Sequence, residues 1–451
     1  MTAITHARVW ALSWPFIVSN VTVPLLGAVD TAVVGQLGQA APIGAVGIGA
    51  VILASLYWIF SFLRMGTAGL AAQAHGAGDL AERDATLFRA LLIAGVAGGA
   101  IILCQWVLFR GAFAVAPASD EVEGLARNYL EIRIWGAPAT IALYAINGWL
   151  VATENSRAVL WLAIWIGVLN AVLNVVFVLG LDWSVQGVAI GSLIAEWTGL
   201  ALGVWLCRAA FGAGVAQARA RLRDAVAIRR MVTVNSAIML RTVLLQGAFT
   251  AFVFLSAGLG DVPLAANQVL MQFLAITAYA LDGFATAAET LVGNAVGAKK
   301  GREVDRAARL TTLWGIGCSG IMALFFLGLG PVLIDLMATA PEVRLEARDY
   351  LPWIVAAPMI GVVSWMYDGI FIGATLTRAM LQVVAVSVAV YAVLLAALIP
   401  VFGNHGLWAA LMGMNATRGV AAHLIWRRLR PALTLSSDET PPMPHSPRQP
   451  Q

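Results

Sequence analysis

One carboxylate lies in the middle of the first long apolar stretch of the chain. Asp30 falls in a run from about residue 12 to residue 37, and no basic residue is near it in sequence. The run is long enough to cross a bilayer, which takes about 20 apolar residues. A charge there costs at least ~2.5–3.5 kcal/mol. Protonation would remove that cost, so we identify Asp30 as a candidate proton or ion carrier. The alternative is a carboxyl held by a structural hydrogen bond from another helix.

Two later apolar stretches carry polar pairs with helical spacing. Asn170 and Asn174 lie one turn apart on the fifth predicted span, and Ser192 and Glu196 lie one turn apart on the sixth. If these faces meet the first helix, they form a polar cluster around its carboxyl. Amide and hydroxyl groups hydrogen-bond a carboxyl in either protonation state. Ordinary contacts between helices are the alternative, and for Glu196 a structural pair with Arg133 is equally compatible with the sequence.

The second half of the chain has its own ionisable residues within predicted spans. Asp282 and Glu289 are seven residues apart on the eighth span, which is nearly two turns, so they share a face. Asp368 lies in the tenth span and Arg241 in the seventh. An arginine there needs a carboxylate partner, and Asp282 and Asp368 are the options. Such a buried pair either fixes the packing or takes part in ion coupling.

Candidate residues for contact with a substrate are flexible or aromatic side chains in the spans, together with two residues that allow a helix to bend. They are Pro24, Gly27, Met239, Met271, Trp365 and Met366. Methionine adapts to cavities of irregular shape, and an indole ring stacks on an organic cation. Proline and glycine permit bends in membrane helices. Packing against lipid or another helix is the alternative for each of them.

The composition indicates an all-α integral membrane protein. Of 451 residues, 60% are hydrophobic and only 12% are charged, whereas soluble domains carry about 25% charged residues. Twelve apolar stretches predict transmembrane helices. They cover about 12–37, 46–73, 88–109, 127–152, 158–180, 187–207, 230–257, 264–296, 309–337, 347–374, 380–401 and 405–427.

The basic residues predict the orientation of these helices. If the N-terminus is cytoplasmic, the inside segments hold 20 of the 28 lysines and arginines, and the outside loops hold only four. Cytoplasmic loops are enriched in these residues, so we expect both termini inside. Because the basic residues are spread over loops between spans, the net charge of +4 does not indicate a nucleic-acid partner.

The chain repeats itself at a constant offset of 221 residues. Residues 126–130 (ARNYL) recur as 347–351 (ARDYL), Arg157 matches Arg378, and Pro42 matches Pro263. We therefore predict two homologous six-helix halves, 1–220 and 221–430, followed by a disordered, proline-rich cytoplasmic tail, 431–451. An even number of spans in each half makes them parallel repeats. Asp30 has no acidic counterpart at this offset, so the two halves have different tasks.

Two such bundles favour a transporter that works by alternating access, in which one bundle rocks against the other. The sequence has no Walker A motif, so ATP does not drive it directly. The five histidines are scattered, with no metal-binding spacing, and no nucleophile–base pair is visible. We therefore expect no enzyme activity, no metal and no cofactor other than a coupling ion.

Three stretches resemble the multidrug and toxic compound extrusion (MATE) transporters, in particular their DinF-type bacterial branch. They are VPLLGAVDTAVVGQLG at 23–38, YALDGF at 279–284 and YDGIFIGA at 367–374. The resemblance covers about residues 1–430. It implies a V-shaped pair of bundles in the bacterial inner membrane, which exports amphipathic or cationic organic compounds in exchange for H⁺ or Na⁺. It also implies that Asp30 is the coupling carboxylate, with Asn170, Asn174 and Ser192 beside it.

The identity of the coupling ion stays open at this point. Some relatives carry a second acid one turn after the asparagine of the fifth helix, where this chain has Asn174. The missing carboxylate mildly favours protons, because Na⁺ is a hard cation that prefers several oxygens and negative charge. Asp368, however, falls where other branches have an acid implicated in ion coupling, so Na⁺ is also considered.

A flippase for a lipid-linked precursor or lipid-like metabolite is the alternative function. It would need several arginines or lysines in its cavity to hold an anionic headgroup. Apart from arginines at the span edges, only four basic residues fall inside predicted spans, namely Arg64, Arg133, Arg241 and Arg418. We expect a monomer whose partners are small organic substrates and membrane lipids.

Overall fold

The computed structural model describes residues 3–36, 40–115, 119–212 and 215–434, and every regular element among them is a helix. Ten continuous helical segments are long and apolar enough to cross a membrane. One of them, the last, is broken at Gly403, where φ is 53°, and so provides two spans. The first helix, of 30 residues, provides another. The prediction of twelve transmembrane helices is confirmed.

We number the spans α1 to α12. They are α1 His6–Gly35, α2 Ala41–Gly76, α3 Leu80–Leu103, α4 Asp120–Ala152, α5 Ser156–Gly180, α6 Ser184–Leu206, α7 Ala225–Ala257, α8 Asp261–Gly297, α9 Gly301–Met337, α10 Pro341–Gly373, and the two parts of Thr377–Thr434, α11 (377–402) and α12 (404–434). Short helices at Gln105–Val115 and Val215–Ala220 lie between spans.

Several helices begin earlier than their apolar stretches. The predicted fourth span begins at about residue 127, whereas α4 begins at Asp120, and its first turn also holds Glu121 and Glu123. The hydroxyl of Ser119 caps this turn by accepting a hydrogen bond from the backbone N–H of Val122. Acidic residues are favourable at a helix N-terminus. Hydropathy alone misses such a turn because it is polar.

The 221-residue offset also relates the ends of the helices. α2 and α8 end at residues 76 and 297, α3 and α9 begin at 80 and 301, α4 and α10 end at 152 and 373, and α5 and α11 begin at 156 and 377. Gly76 and Gly297, the last residues of α2 and α8, lie where the two helices cross closely. A Cβ atom on Gly76 would lie 2.0 Å from the carbonyl oxygen of Asn294, and one on Gly297 would lie 1.9 Å from that of Gln73. Small residues permit this approach of two backbones.

Contacts between the two halves are made mainly by α1 and α2, which pack on α8, and by α7 and α10, which contact α2. The first turns of α1 belong to a core of the second half. Val9 and Leu12 join a buried cluster with Phe284, and Trp10 stacks on Trp314 with ring centroids 5.4 Å apart. At the same end, Arg8 forms an ion pair of 2.6 Å with Glu154. The carboxylate of Glu154 also accepts a hydrogen bond from Asn294 of α8.

A cleft of about 750 Å³ lies between α2 and α7, beyond the region where α2 and α8 cross. Its walls are mostly apolar, with a few amide and hydroxyl groups. The lining residues are Ala54, Ser55, Trp58, Ile59, Met239, Thr242, Val243, Gln246, Gly247, Thr250, Ala251 and Phe254. One helix from each half forms a wall, so a relative movement of the halves would change its width.

Two predictions fall partly outside the described residues. The tail was expected to begin at residue 431, but α12 continues through Thr434, so the helix ends later than predicted. Residues 435–451 lie outside the described part of the chain, as do the side chain of Pro24 and the packing around Gly27 in α1.

Candidate ion-coupling site

The structure joins four of the predicted residues in one chain of hydrogen bonds. α1 packs along α5, and α5 packs along α6. The side-chain amide of Asn174 donates to Oδ1 of Asp30 at 2.5 Å and to Oδ1 of Asn170 at 3.2 Å. Asn170 in turn donates to the hydroxyl of Ser192 at 2.8 Å. Three helices therefore meet at this polar cluster.

Burial differs along the hydrogen-bond chain. Asn170, Asn174 and Ser192 are 4%, 0% and 5% exposed, whereas Asp30 is half-buried. The three buried groups are neutral at every physiological pH, so only the carboxyl can gain or lose a proton here. Among the described residues, Oδ1 of Asn174 is buried without a hydrogen-bond partner. The amide groups can thus serve an ionised carboxylate as donors and a protonated one as acceptors.

Local backbone features position Asn174. The α-helical part of α5 ends at Asn174, and a π-helical turn, Val175–Gly180, follows it. Such turns are frequent at functional sites because they displace the side chains next to them. On α6, a Cβ atom at Gly191 would lie 2.4 Å from Oδ1 of Asn174. A glycine at this position therefore leaves the space that the amide occupies.

We expect Gly191→Ala to reduce transport several-fold by pushing Asn174 away from Asp30, with about 1–3 kcal/mol of overpacking cost. Uptake of ethidium into proteoliposomes, driven by a pH gradient, would measure the effect. Gly95→Ala on α3 is the matched control, because a Cβ atom there meets nothing within 4 Å. Equal transport by both variants would contradict a role for the position of Asn174.

Glu196 lies outside this hydrogen-bond chain. Its carboxylate accepts from Arg133 of α4 at 2.7 Å, and the two side chains are 14% and 12% exposed. The guanidinium also donates to the hydroxyl of Tyr129 at 3.4 Å. Of the two interpretations considered for Glu196, the structure shows the pair with Arg133. Glu196 of α6 thus neutralises the largely buried guanidinium of Arg133 on the neighbouring helix α4.

In the second half of the chain, Asp368 of α10 lies between two arginines. It accepts hydrogen bonds from Arg241 of α7 and, at 2.8 Å, from Arg418 of α12. The arginines are 9% and 3% exposed. The sequence offered Asp282 or Asp368 as the partner of Arg241, and the structure shows Asp368. The second arginine was not predicted, because sequence spacing does not show which faces of α10 and α12 meet.

The other two candidate acids of the second half, Asp282 and Glu289, contact helices of the first half. Asp282 accepts from the amide of Asn20 on α1 at 3.1 Å. Glu289 is 2% exposed and lies 3.8 Å from a guanidinium nitrogen of Arg64 on α2. The two acids were predicted to share a face of α8, and both contacts are made towards the first half. Asn20 is a site neighbour that the sequence reasoning missed, although its position in a predicted span was a usable signal.

The substrate-contact candidates lie in different surroundings. Met239 lines the cleft between α2 and α7. Met271 packs against a core of the second half, and Trp365 packs between two such cores. Met366 is fully buried, and its sulfur lies 2.6 Å from where a Cβ atom on Gly315 of α9 would be. In this conformation Met366 fills the interface of α9 and α10 and does not reach the cleft.

The chain is similar to known transporters over nearly its whole length. The MatE family profile matches residues 15–176 and 237–398, one match in each half. The chain is 40% identical to DNA damage-inducible protein F of Escherichia coli K12, over 93% of this chain and 91% of that protein. It is 24% identical to a probable multidrug resistance protein NorM of Neisseria meningitidis, over 82% of this chain and 78% of that protein.

Solved structures show the same fold. The crystal structure of the Vibrio cholerae MATE transporter VcmN in its bent form has a TM-score of 0.84, with 20% identity over 95% of this chain and 98% of that one. An outward-facing MATE family transporter has a TM-score of 0.81, with 18% identity over 96% and 97% of the two chains. The twelve helices, the family match in both halves and the similarity to DNA damage-inducible protein F together show that this chain belongs to the MATE family of multidrug and toxic compound efflux transporters, which are membrane transporters and not enzymes.

Proposed function

We propose that this protein exports amphipathic or cationic organic compounds in exchange for H⁺, and that Asp30 carries the proton. The observation that supports this most directly is the hydrogen-bond chain from Asp30 through Asn174 and Asn170 to Ser192. It contains a single titratable group, and that group is its most accessible member. An intramembrane acid in such surroundings is typical of a proton path.

The direction of transport follows from the predicted orientation. The basic residues assign the end at which α2 and α8 cross to the cytoplasm. The close crossing at Gly76 and Gly297 then closes the cytoplasmic side, and the cleft between α2 and α7 opens towards the outside. Proton binding to Asp30 from the outside would favour release of the substrate, and the return of the halves would release the proton inside. This orientation places both termini in the cytoplasm of a bacterial cell.

Two features favour H⁺ over Na⁺. The cluster at Asp30 offers one carboxylate, two amides and a hydroxyl, and hard cations prefer more oxygen ligands and more negative charge. Asp368, the other candidate ligand, is occupied by the guanidinium groups of Arg241 and Arg418. Together with Asp368, the two guanidinium groups form a cluster of net charge +1, which repels a further cation. The second half therefore offers no favourable site for Na⁺ at this carboxylate.

The cleft supports an amphipathic substrate. Its described lining contains no charged side chain, and Trp58, Met239 and Phe254 supply apolar surface beside the amide of Gln246. Aromatic and methionine side chains accommodate organic molecules of different shapes. A flippase for an anionic headgroup would need arginine or lysine in this wall, so the neutral lining argues against that alternative.

Separate ion gradients test the proposal. We expect a pH gradient alone to drive ethidium transport in proteoliposomes, and a Na⁺ gradient at equal pH on both sides to leave transport at the level of protein-free liposomes. Transport driven by Na⁺ alone would contradict proton coupling. The absence of ethidium transport under either gradient, together with failure of other amphipathic cations, would contradict the proposed substrate class.

A further inference from the structure

A second large groove lies at the end of the second half that the basic residues assign to the cytoplasm. It has a volume of about 1160 Å³ and lies among the first turns of α9, the C-terminal part of α10 and the end of α12. His6 of α1 contributes to its rim. The hydroxyl of Tyr367 and a ring nitrogen of His423 are 2.8 Å apart in its wall. This groove is distinct from the cleft between α2 and α7.

The groove is strongly basic. Four arginines line it, Arg306 and Arg309 from α9 and Arg427 and Arg430 from α12, against a single acid, Asp305. Arg430 pairs with that aspartate at 2.5 Å. In the described part of the chain, the other three guanidinium groups are exposed and form no ion pair. Three cations therefore face the groove without a carboxylate to balance them.

These arginines are not part of the duplicated scaffold. At the 221-residue offset, the positions that correspond to the four arginines are Ala85, Phe88, Leu206 and Ala209. The first half thus builds the same helices with small and apolar residues at these positions. The fold does not require the arginines, so their concentration in one half points to a ligand.

The shape and composition of the groove indicate what that ligand is. α9 continues from Arg306 and Arg309 to Leu313 and Ile316, which lie on the same helix face at spacings of three and four residues. Leu313 is 53% exposed and Ile316 is 40% exposed. A charged end next to an apolar, lipid-facing strip suits a molecule with an anionic headgroup and an acyl chain, whereas a free anion would make no use of the apolar strip. Basic pockets between helices on the cytoplasmic side are suited to acidic headgroups.

We propose that this basic groove binds an anionic phospholipid of the cytoplasmic leaflet, with its phosphate among Arg306, Arg309 and Arg427 and an acyl chain along Leu313 and Ile316. The site lies where α9, α10 and α12 meet the first residue of α1. The proposal does not depend on the coupling ion or the exported substrate.

Native mass spectrometry of the purified full-length protein tests this. Micelles containing phosphatidylglycerol or phosphatidylcholine would be compared by the number of lipids retained per protein. We expect selective retention of phosphatidylglycerol, and about a 30-fold weaker retention by Arg309→Gln/Arg427→Gln, which corresponds to about 1 kcal/mol for each arginine. The single variant Arg309→Gln should show an intermediate loss. Arg157→Gln/Arg223→Gln removes two exposed arginines outside the groove and should retain the lipid as the unmodified protein does.

Three results would overturn the proposal. The first is equal retention of phosphatidylglycerol and phosphatidylcholine. The second is equal loss in the groove variant and the control variant, which would indicate a general charge effect. The third is displacement of phosphatidylglycerol by millimolar inorganic phosphate, which would indicate a site for a free anion. Size-exclusion profiles would establish that each variant is folded before its lipids are counted.

Discussion

Asp30→Asn is expected to reduce pH-gradient-driven ethidium transport to the level of protein-free liposomes while the protein remains folded. Asparagine has nearly the shape of a protonated aspartic acid, and it can keep the hydrogen bond to Asn174, which in the native protein is 2.5 Å long. It cannot bind or release a proton. The substitution also removes the cost of a charge in an apolar helix, at least ~2.5–3.5 kcal/mol. We therefore expect unchanged or higher thermal stability.

Proton release provides a second measurement for this variant. If substrate and proton compete through Asp30, substrate binding to the detergent-solubilised protein releases a proton into weakly buffered solution, and Asp30→Asn abolishes this release. Asp182→Asn is the matched control. Asp182 is exposed in the turn after α5 with φ of 56°, a conformation that asparagine adopts readily. Normal pH-driven transport by Asp30→Asn would contradict the assignment of the proton to this residue.

Asp368→Asn is expected to be the most destabilising of the substitutions at charged residues within the spans. It leaves Arg241 and Arg418 facing each other in the membrane without an anion, and removing one partner of a buried ion pair costs about 3–5 kcal/mol. Removal of one arginine is different. Arg241→Gln leaves Asp368 paired with Arg418, so the cost is about 1.5–3 kcal/mol for the lost charged hydrogen bond.

The order of these losses in stability tests whether Asp368 holds Arg241 and Arg418 together. Apparent melting temperatures from size-exclusion chromatography of heated samples should rank the unmodified protein highest, then Arg241→Gln, then Asp368→Asn. Asp335→Asn breaks the exposed pair with Arg348 and should cost only about 0–1 kcal/mol. If Asp368→Asn were as stable as Arg241→Gln, the carboxylate would not hold the two arginines together. Na⁺-dependent stabilisation that is lost in Asp368→Asn would restore it as a candidate cation ligand.

Much of the architecture follows from the sequence because hydropathy and duplication are local or linear signals. A bilayer admits only backbone segments that satisfy their own hydrogen bonds, so an apolar stretch of sufficient length predicts a helix almost without further information. The repeat of ARNYL as ARDYL predicted related halves, and α4 and α10 carry these segments. Asp30 was identifiable for the same reason, since a lone charge in an apolar run is costly wherever the helix packs.

The tertiary structure decided which faces of these helices meet. Spacing placed Asn170 and Asn174 on one face, but only packing brings that face to Asp30, and only packing separates Glu196 from the cluster by pairing it with Arg133. The two arginines on Asp368 come from α7 and α12, 127 and 50 residues away in the chain. A periodic pattern within one helix does not show which helices far apart in the chain come into contact. The sequence determined that Asp30 is unusual, and the packing of α5 and α6 against α1 determined its partners, because buried polar groups must find hydrogen bonds on whichever helix lies against them.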